Sequence, residues 1–350
     1  MNKRRNRRVY PALLGLLMLA ALALGAYVLW ERPPRLEPQT QLRTTVSAAP
    51  QAEETLARRA EAPASGRKPG VYTLLLVGND DGNGNTDTIL LGRMDTLAHK
   101  LDLVSIPRDT LVNRDWRVRK LNAVYAGTAG EGGVAIDGLR QELCKLCGFT
   151  PDVYAVVDLE VFIDAVDLIG GVDFDLPLDM DFDNYEKNQH VHLKAGPHHL
   201  DGLEAMCVVR YRSNYINGDL DRVQMQQDFV KAALGQLLSL GQVPRLPELV
   251  AMIAERTDSD LTAANIAWLT RQLLQCKSED IHLYTMPNIP VTLQDLSYVV
   301  ADLEPWLQIL NENLNPYYEP VTADNLDLVY REFGVYRATS GVLQGAAYYD

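Results

Sequence analysis

The sequence predicts an α/β protein, a central mixed β-sheet flanked by helices, preceded by one N-terminal transmembrane helix. Two observations carry that expectation. Short β-branched apolar runs alternate with longer segments of helical period, the pattern of a layered α/β domain. Before them, Val9–Trp30 is a stretch of about 22 residues without a charge, long enough at 1.5 Å per residue to cross a bilayer's hydrocarbon core.

The N-terminal elements follow in order. Lys3, Arg4, Arg5, Arg7 and Arg8 crowd a short basic tail, residues 1–8. Fewer basic residues (Arg32, Arg35) follow the apolar run, so the positive-inside rule leaves the tail in the cytoplasm and the body outside. Tyr10, Tyr27 and Trp30 lie near the ends of the run, where aromatic rings favour the interface. A cleaved signal peptide would have a shorter apolar region and a small-residue cleavage site; here the run ends in Trp-Glu-Arg-Pro-Pro. The expected protein is therefore single-pass and membrane-anchored, residues 9–30 being the span. Residues 31–70 are rich in Pro, Ala, Gln, Glu, Thr and Arg without an apolar period and read as a flexible extracellular stalk.

The body begins at Val71. Val71–Val77, Thr88–Gly92 and Leu101–Ile106 are short β-rich runs broken by Gly, Asn and Asp, expected as three strands. Leu139–Leu146 has helical spacing, Val153–Val157 is another strand, and Leu159–Ile169 is a helix stopped by Gly170-Gly171. Val172–Leu176 follows as a strand. Helices are expected over Pro197–Arg210, Arg222–Leu240, Leu261–Leu274 and Leu296–Leu310, with a strand at Ile281–Tyr284. Residues 71–317 make the expected catalytic domain, and the Tyr-rich, acidic residues 318–350 an extension without an assignable fold.

The net charge of −13 argues against a nucleic-acid partner, which calls for a basic domain. Four cysteines, Cys144, Cys147, Cys207 and Cys276, permit disulfides in an extracellular body without fixing a pairing. Cys144 and Cys147 form a CxxC, but no second ligand pair at zinc spacing follows; packing or a local disulfide is the plainer expectation.

Three polar clusters gather where the strand pattern ends. Gly78 to Thr88 is a Gly-, Asn- and Asp-rich loop after the first strand. Its glycines let backbone approach a ligand, and Asp80 and Asp87 offer oxygen ligands to a hard cation, although Asp-Gly-Asn-Gly is also an ordinary turn. It is no P-loop, since no Gly-Lys-Ser/Thr follows. Arg108 and Asp109 stand at the end of the third strand, where open α/β sheets place ligands; a planar guanidinium there suits a phosphate. The third cluster holds Arg210, Arg212, Asp219, Arg222 and Gln226. Asp219 is placed to cap a helix, which puts Arg222 in the first turn, where a cation is unfavourable unless an anion sits there. A chain of net charge −13 that gathers arginines and aspartates in this way suits a pyrophosphate with a divalent ion; a structural Arg108–Asp109 turn network and a solvated helix face are the plainer alternatives for these two clusters.

Taken in order, the runs Thr-Asp-Thr-Ile, Leu-Val-Ser-Ile-Pro-Arg-Asp-Thr, Lys-Leu-Asn-Ala-Val-Tyr, Asp-Leu-Ile-Gly-Gly-Val-Asp, Gly-Pro-His-His-Leu-Asp-Gly-Leu-Glu-Ala and Arg-Tyr-Arg…Gly-Asp-Leu-Asp-Arg-Val-Gln-Met-Gln-Gln resemble the LytR-CpsA-Psr family of cell-wall phosphotransferases. The resemblance spans Val71–Leu238, and more loosely continues to Tyr317. It implies transfer of a glycopolymer phosphate from a polyprenyl-pyrophosphate carrier to a peptidoglycan hydroxyl, in a fold with a hydrophobic groove for the lipid. It further implies Mg²⁺ (or Mn²⁺) on Asp87 with Asp80 beside it. Arg108, Arg210, Arg212, Arg222 and Gln226 would surround the pyrophosphate, and Arg108, Asp109 and Asp219 would stand at the reacting centre. The setting would be a Gram-positive-type envelope, the polymer teichoic acid, capsule or another wall glycan. Two positions depart from the family pattern, Asn85 and Met225 standing where arginines are usual. A carrier hydrolase and a non-catalytic envelope regulator are the alternatives.

Overall fold

The computed structural model describes residues 31–36, 66–79, 86–184, 189–211, 219–239, 244–345 and 349. For residues 87, 184, 189 and 219–223 the backbone alone is described. The expected span Val9–Trp30 lies outside these residues; among the described ones no helix is long and apolar enough to cross a membrane. Residues 31–36, expected as the start of a stalk, instead lie against the helix at 263–273. Arg32 N–H donates to Ala264 O at 3.2 Å, and Glu31, its side chain 4% exposed, pairs with Arg271 at 3.2 Å.

The body is built on a six-stranded sheet from β1 (Val71–Asn79), β2 (Thr86–Asp95), β3 (Lys100–Ser105), β4 (Val153–Val157), β9 (Asp258–Ser259) and β10 (Ile281–Thr285), in the order β10-β3-β2-β1-β4-β9. The pairs β1–β2, β2–β3 and β4–β9 are antiparallel, whereas β1–β4 and β3–β10 are parallel. The sheet is mixed, as expected from the sequence. Both faces are covered because the strands bury alternate residues on each side. Leu75, Val77, Leu91 and Val104 face α1 (Leu121–Gly130), α2 (Ala135–Cys147) and α8 (Leu303–Ile309), whose Trp306 is fully buried and donates to Leu146 O at 2.9 Å. Leu74, Leu101 and Leu103 face the opposite side, against α5 (Asp219–Leu237) and α7 (Ala263–Leu273).

Between β4 and β9 the chain builds a second apolar core. It comprises α3 (Leu159–Leu168), the ribbons β5 (Val172–Leu176) with β8 (Gly196–Leu200) and β6 (Met180–Asn184) with β7 (Gln189–Leu193), α4 (Gly202–Arg210), and α6 (Leu246–Arg256), which α5 closes. Pro197–Leu200, expected as the start of a helix, is strand. The helix begins only at Gly202, where Asp201 and Glu204 form a reciprocal capping box; that pair fixes the start more strongly than the apolar period does. A Cβ on Gly202 would meet Ile163 O at 2.2 Å, a backbone atom of α3. Gly202→Ala is therefore expected to cost about 1–3 kcal/mol by forcing α3 and α4 apart, read as a lower urea midpoint; an unchanged midpoint would contradict this close approach.

The C-terminal part is a four-stranded sheet, β11 (Asn288–Leu293), β12 (Leu296–Ala301), β13 (Val329–Glu332) and β14 (Val335–Ala338). The helix expected over Leu296–Leu310 is thus corrected to a strand followed by α8. Gln294 and Asp295 both adopt positive φ, 47° and 61°, making the tight hairpin turn that reverses β11 into β12. Tyr298 and Val300 then alternate inward with period two, and strand pairing wins over a short helical pattern. Residues from 318 onward supply β13 and β14, which enlarge this sheet.

None of the four cysteines is in a disulfide and all four are buried, so the permitted local disulfide is absent. Burial pushes the thiols of Cys147 and Cys276 up, and that of Cys207 up to about 12 although Arg210 opposes the shift. Iodoacetamide at pH 8 is expected to leave the native chain unlabelled and to label all four after unfolding; rapid native labelling would refute the burial.

Candidate active site

The topology brings the polar clusters to one end of the main sheet. Strands β1, β3, β4 and β10 all finish there, since Gly78 pairs with Val157 and Ser105 with Thr285, while β2 starts there opposite Asn79. Parallel neighbours ending together leave carbonyls and loop residues at a common edge, the usual ligand position of α/β sheets. Asp87 stands at a bulge in the β1–β2 ladder, because Gly78 pairs with Thr88 but Asn79 pairs with Thr86. Bulges next to sites re-aim side chains. At the same place Asn79 Oδ1 and Thr86 Oγ1 are buried without a hydrogen-bond partner among the described residues. Such unsatisfied oxygens are rare in folded proteins and suit a hard cation or a polar ligand group. Asp80 lies outside the described residues, and of Asp87 only the backbone is described. Among the described residues no group of three or more His, Cys, Asp or Glu is placed to hold a metal.

Arg108 leaves β3 half-buried, its carbonyl accepting from Asn122 N–H at 3.0 Å. Asp109 follows, its carbonyl held by Val299 N–H at 3.1 Å and its carboxylate by Lys120 at 2.9 Å. Lys120 also lies over the Tyr298 ring, 5.6 Å from its centroid. Lys120, in the Lys-Leu-Asn run, carries no local signal beyond standing one residue ahead of a helix, and only its pairing with Asp109 brings it to the site.

Helix α5 crosses the same end. Gln227 Nε2 donates to Thr285 Oγ1 at 2.7 Å, and Thr285 is Ser105's partner in register. Gln226 Nε2 donates to Val209 O at 2.7 Å, which ties α5 to the last turn of α4 beside Arg210. These bonds join Arg108's strand, α5 and Arg210 through shared neighbours, with Gln227 an anchor that sequence reading missed. A cation at the C-terminal turn of α4 is favourable to the helix dipole. Asp219 is the first helical residue of α5 and Arg222 lies in its first turn; their side chains are not described, and Arg212 and Asn85 lie outside the described residues. Met225, where an arginine is usual, is 3% exposed within the second apolar core, so this position supplies packing instead of charge.

The family model LytR_cpsA_psr matches residues 40–314. The chain belongs to the LytR-CpsA-Psr family. The LytR-CpsA-Psr relatives include the polyisoprenyl-teichoic acid–peptidoglycan teichoic acid transferase TagV of Bacillus subtilis (strain 168), 24% identical over 265 residues, 71% of this chain and 62% of TagV. The cell wall biosynthesis protein LcpA of Corynebacterium glutamicum is 31% identical over 199 residues, 51% of this chain and 38% of LcpA. The chain thus spans less than two thirds of either relative. In three dimensions the crystal structure of B. subtilis TagV aligns with TM-score 0.59 at 23% identity, covering 71% of this chain and 98% of that one. A structure of TagT bound to LIIa-WTA aligns with TM-score 0.57 at 19% identity, covering 71% and 91%. The mixed sheet flanked by helices is the LytR-CpsA-Psr fold.

Proposed function

We propose that this protein transfers a glycopolymer phosphate from a polyprenyl-pyrophosphate carrier to a peptidoglycan sugar hydroxyl. What supports this reading is that α5 is bonded both to Thr285, beside the end of the strand that leads to Arg108, and to Val209, next to Arg210, in a chain of net charge −13 and in a family whose relative TagV is named a teichoic acid transferase. Guanidinium groups gathered there by an otherwise acidic protein would suit a strongly anionic ligand.

The chemistry is phosphoryl transfer, in which positioning and charge stabilisation do most of the catalysis. The acceptor hydroxyl oxygen forms a bond to the phosphorus that bears the polymer. The bond from that phosphorus to the bridging oxygen breaks, and polyprenyl phosphate leaves with the electron pair. Arg108, Arg210, Arg212 and Arg222 would stabilise charge on the departing phosphate, with Gln226 fixing the α4–α5 junction. A divalent ion on Asp87 and Asp80 would neutralise pyrophosphate charge, and the orphaned oxygens of Asn79 and Thr86 fit such an ion. The hydroxyl proton needs a carboxylate acceptor. The Asp109 carboxylate is already paired with Lys120 at 2.9 Å, which favours Asp219 for that role. Membrane anchoring by residues 9–30 would hold the enzyme where its lipid donor resides.

The test is turnover of a short-chain polyprenyl-pyrophosphate glycan by the full chain with a peptidoglycan oligomer, with Mg²⁺ and with a chelator. A phosphodiester-linked product that disappears on chelation is expected. Free phosphorylated glycan alone would make the protein a hydrolase, and tight binding without product a regulator; either result overturns the transferase.

A further inference from the structure

The family match ends at residue 314, yet the chain beyond it returns to the loop that carries Arg108. Val112 bridges Leu328 in antiparallel fashion. Asn113, 3% exposed, donates through Nδ2 to Asp327 Oδ1 at 2.7 Å and to Val342 O at 2.9 Å. Its Oδ1 accepts from Gln344 N–H at 2.8 Å. Asp327 Oδ1 is itself held by Ser340 Oγ at 2.6 Å. On the returning arm of the same loop Arg119, 2% exposed, lies over the Tyr349 ring at 4.4 Å. Tyr349 packs on Tyr336 at 5.2 Å, and Arg331 covers Tyr336 at 5.4 Å. Next to Arg119 stands Lys120, the partner of Asp109.

Residues 326–345 together with Tyr349 therefore grip both arms of the loop, residues 109–113 and residues 119–120. We propose that this C-terminal segment is a brace that positions Arg108 and Asp109, with Asn113 and Arg119 as the positioning residues through which it acts; what Arg108 is positioned for rests on the pyrophosphate reading above. A buried amide satisfied by three partners has one geometry, and losing it strands several buried groups at once. Site residues on loops depend on such supporting contacts, since a displacement of about 1 Å is enough to cost on the order of a hundredfold in rate. Without the brace, residues 110–112 are held by local backbone bonds, among them Leu111 N–H to Val299 O, Val112 N–H to Arg119 O and Leu121 N–H to Thr110 O.

The test uses the full chain with Asn113→Ala, Tyr349→Ala and Tyr349→Phe. Amide hydrogen exchange is measured over residues 110–112, together with the affinity for farnesyl pyrophosphate as probe. Exchange at Leu111 and Val112 is expected to rise about tenfold in both alanine variants, and the affinity to fall about tenfold, the scale set by losing a buried hydrogen bond or stacked ring. Tyr349→Phe, which keeps the ring over Arg119, is expected to match the parent. Because Tyr349 meets the loop through its ring over Arg119, its variants decide the matter even if Asn113→Ala does not fold. Unchanged exchange in the alanine variants overturns the brace, and so does faster exchange with unchanged affinity, which would mean structure without positioning. Failure of the parent chain to bind farnesyl pyrophosphate would overturn the pyrophosphate reading instead, and the exchange arm would still decide the brace.

Discussion

Arg108→Ala is expected to reduce transfer about 10²–10³-fold while leaving the fold intact, the range seen when one preorganised donor to developing charge is removed. Alanine keeps the Arg108 carbonyl that accepts from Asn122 N–H. Arg108→Lys is expected to fall between, since an ammonium keeps the charge but loses the planar fork that meets two phosphate oxygens together. The measurement is the rate of phosphodiester product at saturating glycan acceptor, with circular dichroism as control for folding. An Arg108→Ala enzyme that turns over at the parent rate would remove this arginine from the chemistry.

The largest expected effect on stability lies elsewhere. Asp152, whose side chain is fully buried, accepts from Thr73 N–H and Thr73 Oγ1, each at 2.8 Å, and pairs with Arg67. Arg67 in turn donates to Val71 O at 3.0 Å and lies over the Tyr317 ring at 5.7 Å. This network ties the entry of β1, the start of β4 and the chain after α8 together. Asp152→Ala would leave a mostly buried guanidinium and a threonine uncompensated, at a cost of about 3–5 kcal/mol. For a fold of this size that corresponds to a melting temperature lower by roughly 6–20 °C. A shift of less than about 1 °C in a thermal melt would mean that water replaces the carboxylate at this position.

Much of the frame was legible because it is encoded locally. The strand Val153–Val157 and the strand Val172–Leu176 coincide with their sequence expectations, since β-branched runs bounded by turn residues have few other conformations open to them. The stop after Leu168 was visible in Gly170 and Gly171, both of which adopt the positive φ that glycine tolerates. Elements were misread where a local pattern was short and a distant partner decided. Leu296–Ala301 took strand form because Leu111 and the β11 hairpin offered it backbone partners. Asp152 has nothing near it in the sequence to announce Arg67, 85 positions away.

The site divides in the same way. By itself the sequence determined the charge imbalance, the ordered motifs and the residue types, because these are properties of the chain and need no folding to be read. Only the tertiary structure decided what each does. It put the ends of β1, β3, β4 and β10 together, set Lys120 against Asp109, buried Met225 in a core, and carried Asn113 to Asp327. Those outcomes depend on which strands pair and in what register, and register is settled by burial of whole faces over long sequence separations, which no short stretch of residues contains.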